Sequence, residues 1–126
     1  MKLLLDTHTM IWAFSAPRLL SAQARDAIST EENEVFVSVI SPWEVAIKRS
    51  KRELRAPDDL GDAVEAHGFQ FLPVLLRHTK AIDSLPNHHG DPFDRMLVAQ
   101  AIIDGLTLVT SDRALRSYPV SLLPAT

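Results

Sequence analysis

The sequence predicts an α/β fold, a single domain in which helices cover both faces of a central, mostly parallel and twisted sheet. The first observation is length, since 126 residues suit one domain. The second is that short apolar runs alternate along the chain with segments of helical character, which is typical of a parallel sheet. The third is that these runs are apolar at successive positions, as strands buried on both faces are. We therefore expect one domain over residues 1–126.

Five segments are predicted to form strands, because each is a short apolar or β-branched run that ends at polar or turn residues. In chain order the predicted strands cover residues 2–6, 34–39, 69–74, 106–110 and 120–123.

Helices are predicted between these strands, and their ends are marked by Pro, Gly and capping residues. In chain order they cover residues 7–14, 21–28, 41 to about 52, 58–66, 78–85, 91–104 and 113–116. Two of them, at residues 41–44 and 91–94, begin with the same pattern: a capping residue, a proline, and an acid at the third helical position.

Composition excludes several classes of site. The chain has no cysteine, so it has no disulfide, zinc-thiolate site or thiol nucleophile, which suits a cytoplasmic protein. No apolar stretch is long enough to span a membrane, and the run at residues 3–5 is too short for a signal peptide. A net charge of −3 argues against a protein that coats nucleic acid, but it permits an enzyme that grips phosphates locally.

Four acids are the main functional signal. Asp6, Glu44 and Asp112 each lie just past an apolar run, and Asp94 opens an apolar helix. Because the carboxyl ends of parallel strands form the ligand crevice of such sheets, we expect these side chains to meet there. Two carboxylates ~5 Å apart repel by about 3 kcal/mol at an effective dielectric of ~20. Such a cluster needs a hard cation, and oxygen ligands suit Mg²⁺ or Mn²⁺.

Each acid also has a purely structural interpretation. Glu44 and Asp94 occupy the position from which a capping-box acid reaches back to the backbone. Asp6 and Asp112 follow strands and are compatible with turns. Asp91 is predicted to be an N-cap, and a fifth acid near a second metal ion is the alternative.

Several basic and aromatic-ring side chains lie near these acids in sequence. Arg95 and Arg113 each follow an acid and are placed to pair with a carboxylate or a phosphate. The basic run at 48–55 fits either RNA phosphates or a solvated helix end. His88 and His89 are predicted to face solvent, since no third nitrogen ligand lies at a zinc-like spacing.

Four motifs together resemble the PIN-domain ribonucleases, in particular the VapC toxins of toxin–antitoxin systems. They are residues 4–8, 41–48, 91–101 and 108–112, in that order, and the resemblance covers nearly the whole chain. It implies a single PIN-like nuclease domain with no departure at the four acids. The start at residues 91–92 is a feature of one VapC subgroup.

The resemblance implies an endoribonuclease that uses one or two Mg²⁺ or Mn²⁺ ions and leaves 3′-hydroxyl and 5′-phosphate ends. Asp6, Glu44 and Asp94 would be the main metal-site acids, with Asp112 a ligand directly or through water. Thr110 or Ser111 would steady a carboxylate. The implied partners are an RNA substrate, a cognate antitoxin that blocks the site, and a second copy in a homodimer.

Other classes compete with this interpretation. A receiver domain needs a pair of acids after its first strand, and an aspartyl phosphatase needs a second Asp where His8 stands. A PIN-fold nuclease that processes RNA without an antitoxin, or a non-catalytic binding module on the same fold, stays an alternative.

Overall fold

The structure, a computed structural model, describes all residues from Met1 to Thr126. Its centre is a five-stranded, fully parallel sheet with strand order β3-β2-β1-β4-β5. The strands are β1 Lys2–Leu5, β2 Glu34–Ser38, β3 Gln70–Leu72, β4 Thr107–Thr110 and β5 Leu122–Pro124. The predicted α/β fold with a parallel sheet is therefore confirmed.

Six α-helices surround the sheet, together with 3-10 turns at Pro17–Leu19 and Arg113–Ser117. The helices are α1 Thr7–Ser15, α2 Ala22–Ser29, α3 Ile40–Ser50, α4 Leu60–Ala66, α5 Leu76–Ser84 and α6 Pro92–Asp104. None of these helices combines the length and hydrophobicity that crossing a lipid bilayer requires.

The central strand β1 is buried on both faces. Leu3 and Leu5 belong to one hydrophobic cluster, which also contains residues of α1, α2 and α4. Leu4 belongs to a second cluster on the opposite face, built mainly against α6. Because successive side chains of a strand point to opposite faces, an unbroken apolar run is what this position requires.

Several predicted boundaries were wrong by about two residues, among them the start of the final strand, which was predicted at 120–123 and covers Leu122–Pro124. The helix predicted at 58–66 begins at Leu60, because the Asp59 side chain accepts the backbone N–H of Asp62 and so caps the helix. The strand predicted at 69–74 is confined to Gln70–Leu72, and Pro73 lacks the N–H that a further ladder bond requires. The helix predicted at 78–85 begins two residues earlier, at Leu76.

The strand order creates a crevice beside β1. The chain passes from β1 to β2 and β3 on one side and then crosses to β4 and β5 on the other. The connections therefore diverge at β1, and in open parallel sheets ligands bind outside the carboxyl ends of the strands at such a point. Asp6 follows β1 and Asp112 follows β4, so the topology places both acids at this crevice.

Candidate metal site

An acidic cleft of about 180 Å³ opens at the carboxyl ends of β1, β2 and β4, and no hydrophobic residue lines it. Its lining residues are Asp6, Thr7, His8, Glu44, Lys48, Asp91, Asp94, Ser111 and Asp112. The structure thus brings together all four acids expected from the sequence, with Asp91 as a fifth. Against these five carboxylates the lining contains one ammonium group, that of Lys48.

Asp6 is fixed by contacts to both of its oxygens. Oδ1 accepts the backbone N–H of Thr9 at 2.8 Å, which makes Asp6 the N-cap of α1. Oδ2 accepts the hydroxyl of Thr110 at 2.6 Å. Burial raises the pKa of the Asp6 carboxyl, although the hydrogen bonds from Thr110 and Thr9 work in the opposite direction. Asp6 therefore presents a rigid, desolvated carboxylate to the cleft.

Glu44 does not belong to a capping box, so that alternative was wrong. Helix α3 begins at Ile40, whose N–H is accepted by the Ser38 hydroxyl at 3.2 Å. Pro42 then lies within the first turn, where its missing N–H costs no intrahelical bond. Glu44 lies in the second turn, is buried, and accepts hydrogen bonds at 2.6 Å from Thr7 Oγ1 and from Lys48 Nζ. Its carboxylate has no capping function, and it faces the cleft.

Asp91 and Asp94 share the start of α6. Asp91 is the N-cap, and its Oδ1 accepts the N–H groups of Phe93 and Asp94 at 2.8 and 3.4 Å. Asp94 does not reach back to the Asp91 backbone, whose N–H is bound by His89 Nδ1. The Asp94 carboxylate receives no hydrogen bond, and burial, followed by repulsion from Asp91 and Asp6, raises its pKa to about 7.

Asp112 is held on both of its oxygens. Oδ1 accepts the N–H of Ala114 at 3.0 Å and caps the 3-10 turn that follows β4. Oδ2 lies 2.9 Å from His89 Nε2. The Asp112 backbone N–H also donates to Thr110 Oγ1 at 3.0 Å, and the same hydroxyl donates to Asp6. Thr110 therefore ties the fourth acid to the first.

His89 is the residue that sequence reasoning missed. The prediction that it faces solvent was wrong, since its side chain is only 19% exposed and contacts Asp112. His88, in contrast, is exposed as predicted. The one sequence feature that could have indicated this contact was the position of His89, because a residue two positions before an N-cap acid lies at the mouth of the cleft. His89, Asp94 and Asp112 offer ligand atoms within 4.8 Å of one another.

The other three expected neighbours, Arg95, Ser111 and Arg113, lie in three different places relative to the cleft. Arg95 is not brought to the cleft: its Nη2 lies 3.4 Å from the carbonyl oxygens of Ile82 and Leu85, because each residue of a helix points about 100° from the one before. Ser111 lines the cleft but is exposed. Arg113 is exposed and lines an adjoining cleft of about 530 Å³.

Two members of the basic run at 48–55 are bound within the protein. Lys48 forms an ion pair with Glu44, which raises the pKa of the Lys48 ammonium. Arg49 Nη2 donates to the carbonyl oxygens of Ala56 and Pro57. These two contacts favour the structural interpretation of the first part of the run.

The donor set fits a hard divalent cation. All the carboxylates lining the cleft are oxygen donors, and the Asp94 carboxylate lacks any hydrogen bond that would stabilise its charge. Mg²⁺ and Mn²⁺ prefer such ligands. The carboxylates that capping does not explain, those of buried Glu44 and half-buried Asp94, are the observation that points to a cation.

The metal-free protein should lose stability as pH rises from about 4 to 7. The pKa of Asp94 in the folded state is about 7, above its ordinary 3.8, so the unfolded state releases its proton first. The resulting loss in the free energy of unfolding is absent below pH 4, grows between pH 4 and pH 7, and reaches roughly 4 kcal/mol above pH 7. Urea unfolding in EDTA at pH 5 and pH 8 checks this, and equal stability at both values would contradict it.

Comparison with known proteins shows the same architecture elsewhere. The PIN domain family model matches residues 3–120. Ribonuclease VapC22 of Mycobacterium tuberculosis is 34% identical over 122 residues, which is 91% of this chain and 90% of that protein. The crystal structure of VapBC2 from Rickettsia felis, bound to a promoter DNA fragment, matches with TM-score 0.73 and 15% identity over 100% of both chains. A toxin–antitoxin complex from Klebsiella pneumoniae matches with TM-score 0.64 and 18% identity, covering 96% of this chain and 95% of that one.

Proposed function

The chain belongs to the PIN-domain family and is of the VapC type, and from that membership we propose that it is a metal-dependent endoribonuclease, the toxin of a toxin–antitoxin pair. The observation that carries the proposal is the acidic cleft, in which Glu44 and Asp94 have no capping function that would explain their position. The named relative is a ribonuclease, which supports RNA as the substrate.

Asp6, Glu44 and Asp94 would hold Mg²⁺ or Mn²⁺, with Asp112 as a further ligand, directly or through water. When bound, one or two such ions supply an activated water and neutralise charge on the phosphate. Thr110 keeps the Asp6 carboxylate in place, and Thr7 keeps that of Glu44 in place. These hydrogen bonds fix the ligands before substrate arrives, which lowers the cost of assembling the site.

The products test the proposed reaction. Attack by water on the phosphodiester should leave a 3′-hydroxyl and a 5′-phosphate on the fragments. Purified protein is incubated with RNA and Mn²⁺, and the new 5′ ends are tested for ligation without prior phosphorylation. Ends carrying a 2′,3′-cyclic phosphate would instead indicate attack by the ribose 2′-hydroxyl and would overturn the proposal.

We also propose that Arg113 contacts RNA phosphate, together with Arg116. Both side chains are exposed, and both line a cleft of about 530 Å³ that shares Ser111 and Asp112 with the acidic cleft. In a 3-10 turn, side chains three residues apart lie on the same side. Neither arginine forms an ion pair with a carboxylate in the structure, so both are free to bind an RNA strand that enters the acidic cleft.

Replacing Arg113 or Arg116 with alanine should weaken RNA binding and lower its salt dependence by about 0.7 in the slope of log K against log salt. Fluorescence anisotropy with labelled RNA measures this in the Asp94→Asn background, where cleavage is suppressed. Arg18→Ala is the matched control, since Arg18 is exposed on the other 3-10 turn. Slopes that are equal in the Arg113→Ala and Arg18→Ala proteins would refute the contact.

The partner is proposed to be an antitoxin that inserts a cationic side chain into the acidic cleft. Arginine suits this role because it binds carboxylates bidentately. The complexes among the similar structures support a protein partner. An apolar groove next to the cleft, in which Trp43 is 59% exposed and packs against Phe93 with ring centroids 5.0 Å apart, offers contact area.

Antitoxin and metal should therefore compete. Saturating Mn²⁺ should weaken antitoxin binding by about tenfold or more, and the antitoxin should weaken Mn²⁺ binding by the same factor. Calorimetric titration of the cognate antitoxin with and without Mn²⁺, at matched ionic strength, measures both. Identical affinities would place the inhibitory contact outside the acidic cleft.

A homodimer and a cytoplasmic location remain predictions. Both are features that the family resemblance suggests, and the mass of the isolated protein in solution would test the first. A ribonuclease toxin acts on cellular RNA, which supports the second.

A further inference from the structure

We propose that His89 is a positioning residue, which fixes the Asp112 carboxylate through Nε2–H and leaves the metal site with oxygen ligands alone. The inference deepens the proposed function, because it assumes that the acidic cleft holds a divalent cation. It concerns a residue that is not an acid of the cluster and that belongs to the loop before α6.

The neighbours of His89 determine which of its two ring nitrogens carries the proton. The backbone N–H of Asp91 lies 3.0 Å from His89 Nδ1. A backbone N–H can only donate, so Nδ1 accepts with its lone pair. In the neutral ring the proton is therefore on Nε2, which faces Asp112.

The Nε2–H group of His89 donates to one acceptor. Nε2 lies 2.9 Å from Asp112 Oδ2, which is a hydrogen-bond distance, and 3.6 Å from Asp94 Oδ2, which is too long for a hydrogen bond. The other Asp112 oxygen accepts the N–H of Ala114. With one donor on each oxygen, the plane of the carboxylate is set, and its remaining lone pairs are available to a cation.

This arrangement excludes His89 as a metal ligand, although its Nε2 lies within 4.8 Å of carboxylate oxygens of Asp94 and Asp112. One ring nitrogen has its lone pair bound to Asp91, and the other carries the proton. A cation in the cleft then meets only oxygen donors, which favours Mg²⁺ or Mn²⁺ over Zn²⁺ or Ni²⁺, the ions that imidazole suits.

The chain contains the same arrangement at a second, purely structural position. His78 Nδ1 accepts the N–H of Leu75 at 2.9 Å, and its Nε2 lies 2.9 Å from Asp104 Oδ2. His78 belongs to α5, is fully buried against the end of α6 and does not line the acidic cleft. The test for His89 must therefore separate positioning of a metal ligand from simple stabilisation of a loop.

The test is Mn²⁺ binding by the full-length protein at pH 8, measured by electron paramagnetic resonance. His89→Ala should weaken Mn²⁺ binding by about 10- to 100-fold. His89→Gln should restore most of the affinity, because its amide can donate to Asp112. His88→Ala is the matched control and should bind as the wild type does, since His88 is exposed and contacts no carboxylate.

Two spectroscopic readouts separate positioning from a structural role. Long-range ¹H–¹⁵N correlation of the metal-free protein should show the His89 proton on Nε2. Pulsed resonance of the Mn²⁺-loaded, ¹⁵N-labelled protein should show no histidine nitrogen bound to the ion. A proton on Nδ1, or a coordinated His89 nitrogen, would overturn the inference.

The outcomes remain interpretable if a variant is unstable. If His89→Ala does not fold, two measurements still test the inference. They are the Mn²⁺ affinity of His89→Gln compared with that of the wild type, and the two spectra of the wild type. Unchanged Mn²⁺ affinity in a folded His89→Ala protein would overturn the inference while RNA cleavage by the wild type persisted. Tight Mn²⁺ binding without any RNA cleavage would instead overturn the proposed function and leave the inference in place.

Discussion

Replacing Asp94 with asparagine should lower RNA cleavage by at least about a hundredfold while raising the melting temperature of the metal-free protein at pH 8. A hundredfold loss corresponds to about 2.7 kcal/mol of transition-state stabilisation, a fair amount for one ligand of a catalytic ion. The gain in stability follows because burial and repulsion raise the Asp94 pKa to about 7, so its ionised form is unfavourable at pH 8. Removing that charge should raise the melting temperature by about 5 °C or more.

Both quantities are measured on one preparation, by cleavage of a labelled RNA in Mn²⁺ and by thermal melting in EDTA. Asp83→Asn is the matched control, because it removes one exposed carboxylate from α5 without touching the cleft. Cleavage by Asp94→Asn close to the wild-type rate would remove Asp94 from the catalytic site. A lower melting temperature would show that the carboxylate stabilises the fold, contrary to its environment.

The second large effect is expected at Glu44. Glu44→Gln should also reduce cleavage by about a hundredfold or more and change stability little. Glutamine retains the side-chain volume and an oxygen that accepts the hydrogen bond from the Thr7 hydroxyl. It lacks the negative charge that binds a cation and that pairs with Lys48. Lys48 is 29% exposed, so its ammonium can be hydrated once its partner is neutral. The loss should therefore appear in turnover and in Mn²⁺ affinity.

Glu65→Gln, at an exposed position on α4, is the control for this variant. If Glu44 served only to bind Thr7 and Lys48, its glutamine variant would melt at a lower temperature and still cleave RNA. That pattern would make Glu44 a structural residue and leave the site with three acids.

The fold and the acid cluster could be predicted because both depend on local sequence rules. A run such as residues 3–5, apolar at three successive positions and followed by a polar residue, is typical of a strand buried on both faces. Because β1 and β4 are parallel neighbours, the residues that follow them lie together at the carboxyl ends of the strands. Asp6 and Asp112 thereby meet at one cleft although they are 106 positions apart in the chain, from residue 6 to residue 112.

The orientation of individual side chains could not be predicted in the same way. Helix α3 begins one residue earlier than Ser41, because the Ser38 hydroxyl accepts the N–H of Ile40, and this shift takes Glu44 out of the capping position. Arg95 follows a site acid in sequence but points to the end of α5. His89 turns inward, where its two ring nitrogens contact the Asp91 N–H and the Asp112 carboxylate. Each outcome depends on local hydrogen bonds or on helix phase, which residue type alone does not determine.

The most direct test of the central claim is a parallel titration of Mn²⁺ into protein stripped of metal by EDTA and dialysis. Cleavage of labelled RNA and binding of Mn²⁺ are followed on the same samples, with metal content verified before each series. We expect no cleavage at zero metal, full recovery on adding Mn²⁺, and half-maximal cleavage at the concentration that half-saturates binding. Undiminished cleavage by protein shown to contain no metal would contradict the account, because the acidic cleft would then have no catalytic cation to hold.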